Sequence, residues 1–132
     1  RKVLTENFFH HVTESNQFEI YISDLTMDEI TKTKNIELKN QMRLCTSSFT
    51  VLRQDTQAVI TLANQLLQCQ AVPQPSREDA SHIAIAVVAG IDYLVSWNFK
   101  HIVRLKTKDI VRMVTTVQGY KPINIIAPTE LT

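Results

Sequence analysis

The most constraining feature of this chain is a mostly buried helix followed almost at once by a short strand that is apolar on both faces. After the break at Pro73 and Pro75, Ala80, Ile83, Ala84, Val87 and Val88 build a mostly buried helix, and Gly90 is placed to end it. Asp92-Tyr93-Leu94-Val95-Ser96 then reads as a short strand, apolar on both faces. Such a strand needs a covering layer on each side, which is how parallel sheets with crossover helices are built. The expected class is therefore α/β, a three-layer α/β/α arrangement with a mainly parallel sheet.

The rest of the chain fits that alternation. Val3, Phe8, Phe9 and Val12 recur at helical spacing, predicting an amphipathic helix over 3–13. Phe18–Ile22 alternates and is rich in strand formers, Ser23 and Asp24 are capping types, and Leu25–Lys32 reads as a helix. A further helix is placed near Glu37–Leu44, and Phe49–Leu52 is a strand or an extended connector. Asp55 is expected to cap a helix whose Val59, Leu62, Ala63, Leu66 and Leu67 form one stripe. A basic helix over Thr107–Val117 stops at Gly119, and a last strand, Ile123–Ile126, ends before Pro128.

Composition narrows the function classes. At 132 residues the chain suits one domain, residues 1–132. Two cysteines, Cys45 and Cys69, make neither a disulfide framework nor a zinc cluster. The longest apolar run, Ile83–Ile91, is too short to span a bilayer, and no leader pattern is present. The expected setting is reducing and cytoplasmic, without a membrane. Net charge is only +1, but Lys100, Arg104, Lys106, Lys108, Arg112 and Lys121 cluster against the lone Asp109 over residues 100–121. That would suit a polyanion such as nucleic acid, but on charge alone a solvated helix face is the favoured reading.

In open parallel sheets, sites form beyond the carboxyl ends of strands. This singles out Ser23–Glu29 and Ser96–His101. Glu29 is either the acid of a Thr26-x-x-Glu29 capping box or a carboxylate able to bind a hard cation. Asp79 is either a cap partner of Ser76 or a group needing a partner or a metal, at the mouth of a helix otherwise made of Ile, Ala and Val. His82 shares the face of Asp79 and reads as a hydrogen-bonded core residue or a ligand. Asn98 follows its strand by two residues, suited to positioning a phosphate or a water, whereas Asp92 precedes the strand and reads as a turn residue. Lys100 and His101 are candidate phosphate contacts; Trp97 and Phe99 read as packing residues. Gly-rich phosphate loops and nucleophile elbows are absent from the sequence.

Taken together, Arg77-Glu78-Asp79-Ala80-Ser81-His82-Ile83-Ala84-Ile85-Ala86 and Gly90-Ile91-Asp92-Tyr93-Leu94-Val95-Ser96-Trp97-Asn98-Phe99-Lys100-His101-Ile102 resemble the second half of a PIN domain of the VapC-like prokaryotic branch. Tyr21–Ile30 and Gly119–Leu131 are similar to other parts of that family. The resemblance implies a divalent-metal-dependent endoribonuclease, using Mg²⁺ or Mn²⁺, in the role of the toxin of a toxin–antitoxin pair. It places metal-binding and catalytic roles on Glu29, Asp79 and Asn98, with Asn98 standing where the family usually has Asp, and an orienting role on His82. Lys100, His101 and Arg104 would hold RNA, and the implied partners are RNA, an antitoxin protein and a second copy in a homodimer. The family's opening strand and first acid have no counterpart before Val3, so the resemblance implies an incomplete N-terminus. The Asn98 substitution and the missing acid also support an alternative, a catalytically inactive PIN-like module that binds RNA or protein.

Overall fold

The computed structural model describes residues 19–47, 49–53 and 55–131; the helix expected over 3–13 lies outside them. The described residues are mixed α/β and form two compact units, divided between Arg53 and Asp55.

In the first unit, β1 (Tyr21–Ser23) leads directly into α1 (Asp24–Thr31), followed by α2 (Ile36–Thr46) and β2 (Thr50–Leu52). β1 and β2 are parallel, with Tyr21 opposite Thr50 and Ser23 opposite Leu52. Parallel pairing requires a crossover, and α1 and α2 supply it. Ser23 caps α1, its Oγ accepting from the Thr26 N–H at 3.0 Å. The helix therefore begins one turn earlier than a Thr26–Glu29 capping box requires. Glu29 falls in its second turn, whereas a capping box needs its acid three residues after the N-cap, so that reading is set aside on backbone position.

The second unit opens with α3 (Gln57–Gln68) and α4 (Arg77–Val88), which pack against one another. The buried residues of α3 are Val59, Leu62, Ala63, Leu66 and Leu67, the stripe that the spacing predicts. Thr56 caps this helix instead of Asp55, because its Oγ1 accepts from the Val59 N–H at 3.3 Å. α4 buries Ala80 and Ile83–Val87, consistent with a helix covered on more than one side. Each Leu or Ile taken out of water here contributes roughly 1.5–3 kcal/mol.

β3 (Tyr93–Val95), α5 (Leu105–Gln118) and β4 (Asn124–Ile126) form a β–helix–β unit, closed by a 3₁₀ turn at Pro128–Leu131. β3 and β4 are parallel, with Leu94 opposite Ile125, and Ile125 is buried. α3, α4 and α5 end in the same way. The N–H of Ala71, Ile91 and Tyr120 returns to the carbonyl of Leu66, Ala86 and Thr115 at 2.9–3.0 Å, a closure that needs a left-handed residue between. Gly90 (φ +72°) and Gly119 (φ +78°) supply it in α4 and α5, while Gln70 (φ +61°) supplies it in α3.

Two parallel two-stranded sheets are thus established. No helix among the described residues is long and apolar enough to cross a membrane.

Candidate functional site

α4 and β3 are joined by the tight turn at Gly90, so the chain reverses and the start of α4 lies beside the end of β3. Asp79 stands in the first turn of α4, where the helix dipole favours an acid. The loop Ser96–Arg104 leaves the carboxyl end of β3 and meets it there. Asp79 Oδ1 accepts from Asn98 Nδ2 at 3.3 Å, and Asp79 Oδ2 lies 2.9 Å from His101 Nδ1. The side chains of Asp79 and His101 are 19% and 27% exposed, so their contact is shielded but still reached by solvent. The partner that this acid was expected to need is present.

Asn98 organises the loop. Its backbone N–H donates to Ser96 Oγ at 3.0 Å, and its Oδ1 accepts the His101 N–H at 2.9 Å. Its carbonyl accepts the N–H groups of Ile102 and Val103 at 3.0 and 2.8 Å. The backbone and side chain of Asn98 together fix the loop, and its amide fastens it to Asp79. The second lone pair of Oδ1 is left for a further donor or a cation.

Ser76, at the cap position of α4, makes no cap bond with its side chain; its Oγ lies 3.3 Å from His101 Nδ1. Ser76, His101 and Asp79 are all close, yet the serine and the acid meet the same ring nitrogen. A nucleophilic relay takes its proton on one imidazole nitrogen and is oriented through the other, so this trio is not arranged as one.

Arg104 is tied down inside the unit. Its Nε donates to Thr107 Oγ1 at 2.7 Å, and a guanidinium nitrogen lies 3.3 Å from the Ala71 carbonyl. The Thr107 hydroxyl, fully buried, lies 2.7 Å from the Ala71 carbonyl and 2.8 Å from that of His101. Having one hydrogen, it donates to one of these at a time. Lys100 is exposed at the tip of the loop. His82 lies three residues beyond Asp79, half-buried on α4.

The structure thus brings Asp79, Asn98 and His101 together. Glu29 belongs to α1 in the first unit, and its side chain lies outside the described residues. Sequence reasoning reads Ser76 only as a cap, gives Ser96 no role of its own within the segment it singles out, and passes over Thr107. Serine at a strand end and threonine on a helix are common residues, and only the distant carbonyl or imidazole gives them a role.

Asp79 and Asn98 offer hard oxygen donors, the right kind for Mg²⁺ or Mn²⁺. They fall short in number, because among the described residues no group of three or more His, Cys, Asp or Glu is placed to hold a metal ion. Asp79 is also the sole carboxylate in the bonded cluster that it forms with Asn98, His101 and Ser76. Comparison with protein-family models, curated proteins and solved structures finds no match to this chain.

Proposed function

We propose that this chain is a PIN-like, three-layer α/β/α domain acting as a divalent-metal-dependent endoribonuclease, in the role of a toxin held by an antitoxin protein. The observation that carries the reading is the meeting of Asp79 and Asn98 beyond the carboxyl end of β3, where parallel α/β domains build their sites. Of the second unit's residues, Asp79 and Asn98 are those that would contribute oxygen ligands to Mg²⁺ or Mn²⁺. The cation, when bound, would stabilise charge developing on the phosphodiester. The chain's own residues have separate tasks. Asn98 fixes the loop, His101 and Asn98 orient the Asp79 carboxylate, and Lys100 with the exposed cations of α5 attracts the RNA backbone. His101, proposed as an RNA contact from sequence, is better suited to orienting Asp79, and Arg104 to bracing the loop. Homodimer formation and a cytoplasmic setting belong to the same proposal.

The second reading, a PIN-like module that binds RNA or protein without cleaving it, draws on a specific observation. Both Asp79 oxygens already have protein partners.

Cleavage of RNA with Mg²⁺, Mn²⁺ or chelator, by this chain and by Asp79→Ala, separates the two. The nuclease reading expects metal-dependent cleavage by the unsubstituted chain, abolished in Asp79→Ala. Retention of RNA in chelator with no cleavage under any condition would favour the binding module.

A further inference from the structure

Phe99 stands out as a large apolar ring in the loop that carries Asn98, yet it is 50% exposed. An apolar ring is ordinarily turned inward, and this loop is not free to rearrange. Asn98 ties it at Ser96, His101, Ile102 and Val103, the Phe99 N–H reaches the Trp97 carbonyl at 2.9 Å, and Ile102 anchors the far side in the core at 4% exposure. Trp97 backs the ring, with centroids 6.2 Å apart and planes tilted by 57°. Phe99 is therefore held partly in solvent by a braced loop, one residue from the amide that touches Asp79 and one residue from exposed Lys100.

We propose that Phe99 is a base-stacking residue, taking an unpaired base of single-stranded RNA while Lys100 meets the adjoining phosphate. This rests on the RNA reading above and adds a residue that selects the form of the substrate. An aromatic face beside a cation is the elementary unit of single-strand recognition, because every base has a π-face and every linkage a charge. A base within a duplex is already stacked on its neighbours and cannot use such a ring.

The test is binding in chelator, so that no RNA is cut, using single-stranded oligoadenylate and a blunt RNA duplex of equal length. The chain's single tryptophan, Trp97, serves as the built-in reporter. Phe99→Ala should weaken oligoadenylate binding by about tenfold or more. It should also remove the change in Trp97 emission, whereas Phe99→Tyr should keep both and duplex binding should be alike in all three. Thermal melting establishes that each variant is folded. If Phe99→Ala binds oligoadenylate as the parent does while Lys100→Ala weakens it, stacking is overturned and the RNA reading stands. Stacking is overturned in the same way if Phe99→Ala changes only self-association. If the parent binds neither RNA, the RNA reading falls and the stacking role with it.

Discussion

His101 Nδ1 lies 2.9 Å from Asp79 Oδ2, joining residues 22 apart in sequence across the start of α4 and the loop after β3. Partial burial should make this contact matter to stability. A double-mutant cycle of Asp79→Ala and His101→Ala, measured by urea unfolding, should give a coupling of about 0.5–1.5 kcal/mol. The ion pair of Lys121 with Asp92 is far more exposed, its side chains being 57% and 67% accessible, and its coupling should be at most about 1 kcal/mol. A cycle at Asp79 and His101 that closes at zero would show that the contact does not hold in solution.

Asn98 both donates to Asp79 and accepts from the His101 backbone, and Asn98→Asp separates these two tasks. The acceptor survives, but the donor facing Asp79 Oδ1 becomes a second carboxylate. Without divalent cations this variant should lose about 1–3 kcal/mol of stability. Added Mg²⁺ should raise its Tm more than it raises the parent's, because paired carboxylates are the stronger oxygen site. Equal shifts in the two proteins would count against a cation at this position.

Thr107 is buried, with its hydroxyl shared between the carbonyls of Ala71 and His101. Thr107→Val keeps the volume but leaves those acceptors without the hydroxyl. It should cost about 1–3 kcal/mol in chemical denaturation, and Thr107→Ser should cost less. If valine is tolerated as well as serine, the hydroxyl is not what joins the loop to the end of α3.

Gln70 occupies the left-handed position that glycine fills in α4 and α5. Gln70→Gly should stabilise the second unit by up to about 1 kcal/mol, the relief of backbone strain being partly offset by a freer unfolded chain. Gly90→Ala should have the opposite sign and a loss of about 1 kcal/mol, although a methyl group there meets no atom within 4 Å. Thermal unfolding of both variants checks the pair.

What can be read from the sequence is what repeats locally. The stripe of α3 and the glycine ends of α4 and α5 follow from spacing and from the special freedom of glycine, and the structure contains them. Cap positions are less legible. Asp55 and Thr56 are both good caps, and Ser23 competes with Thr26 one turn later, so composition alone cannot choose between them. In the site, Asp79 stands out because an acid at the mouth of an apolar helix needs a partner. The identity of that partner is hidden, since no periodicity links residue 79 to 101. Charge alone points Arg104 and His101 toward phosphate, whereas their bonds to Thr107 and Asp79 depend on where the loop folds back.

β3 and β4 are parallel neighbours with α5 between them in sequence, so they cannot zip together from a hairpin. Their pairing waits until the intervening helix has brought distant parts of the chain side by side, a non-local event that slows folding. The hydrogen bonds closing the pair, Ser96 N–H to the Ile126 carbonyl and Asn124 N–H to the Asp92 carbonyl, join segments from opposite ends of this crossover. One of them belongs to the serine that also holds Asn98. The loop bearing the candidate site is therefore seated on a non-local pairing, and its geometry depends on the closure of that crossover.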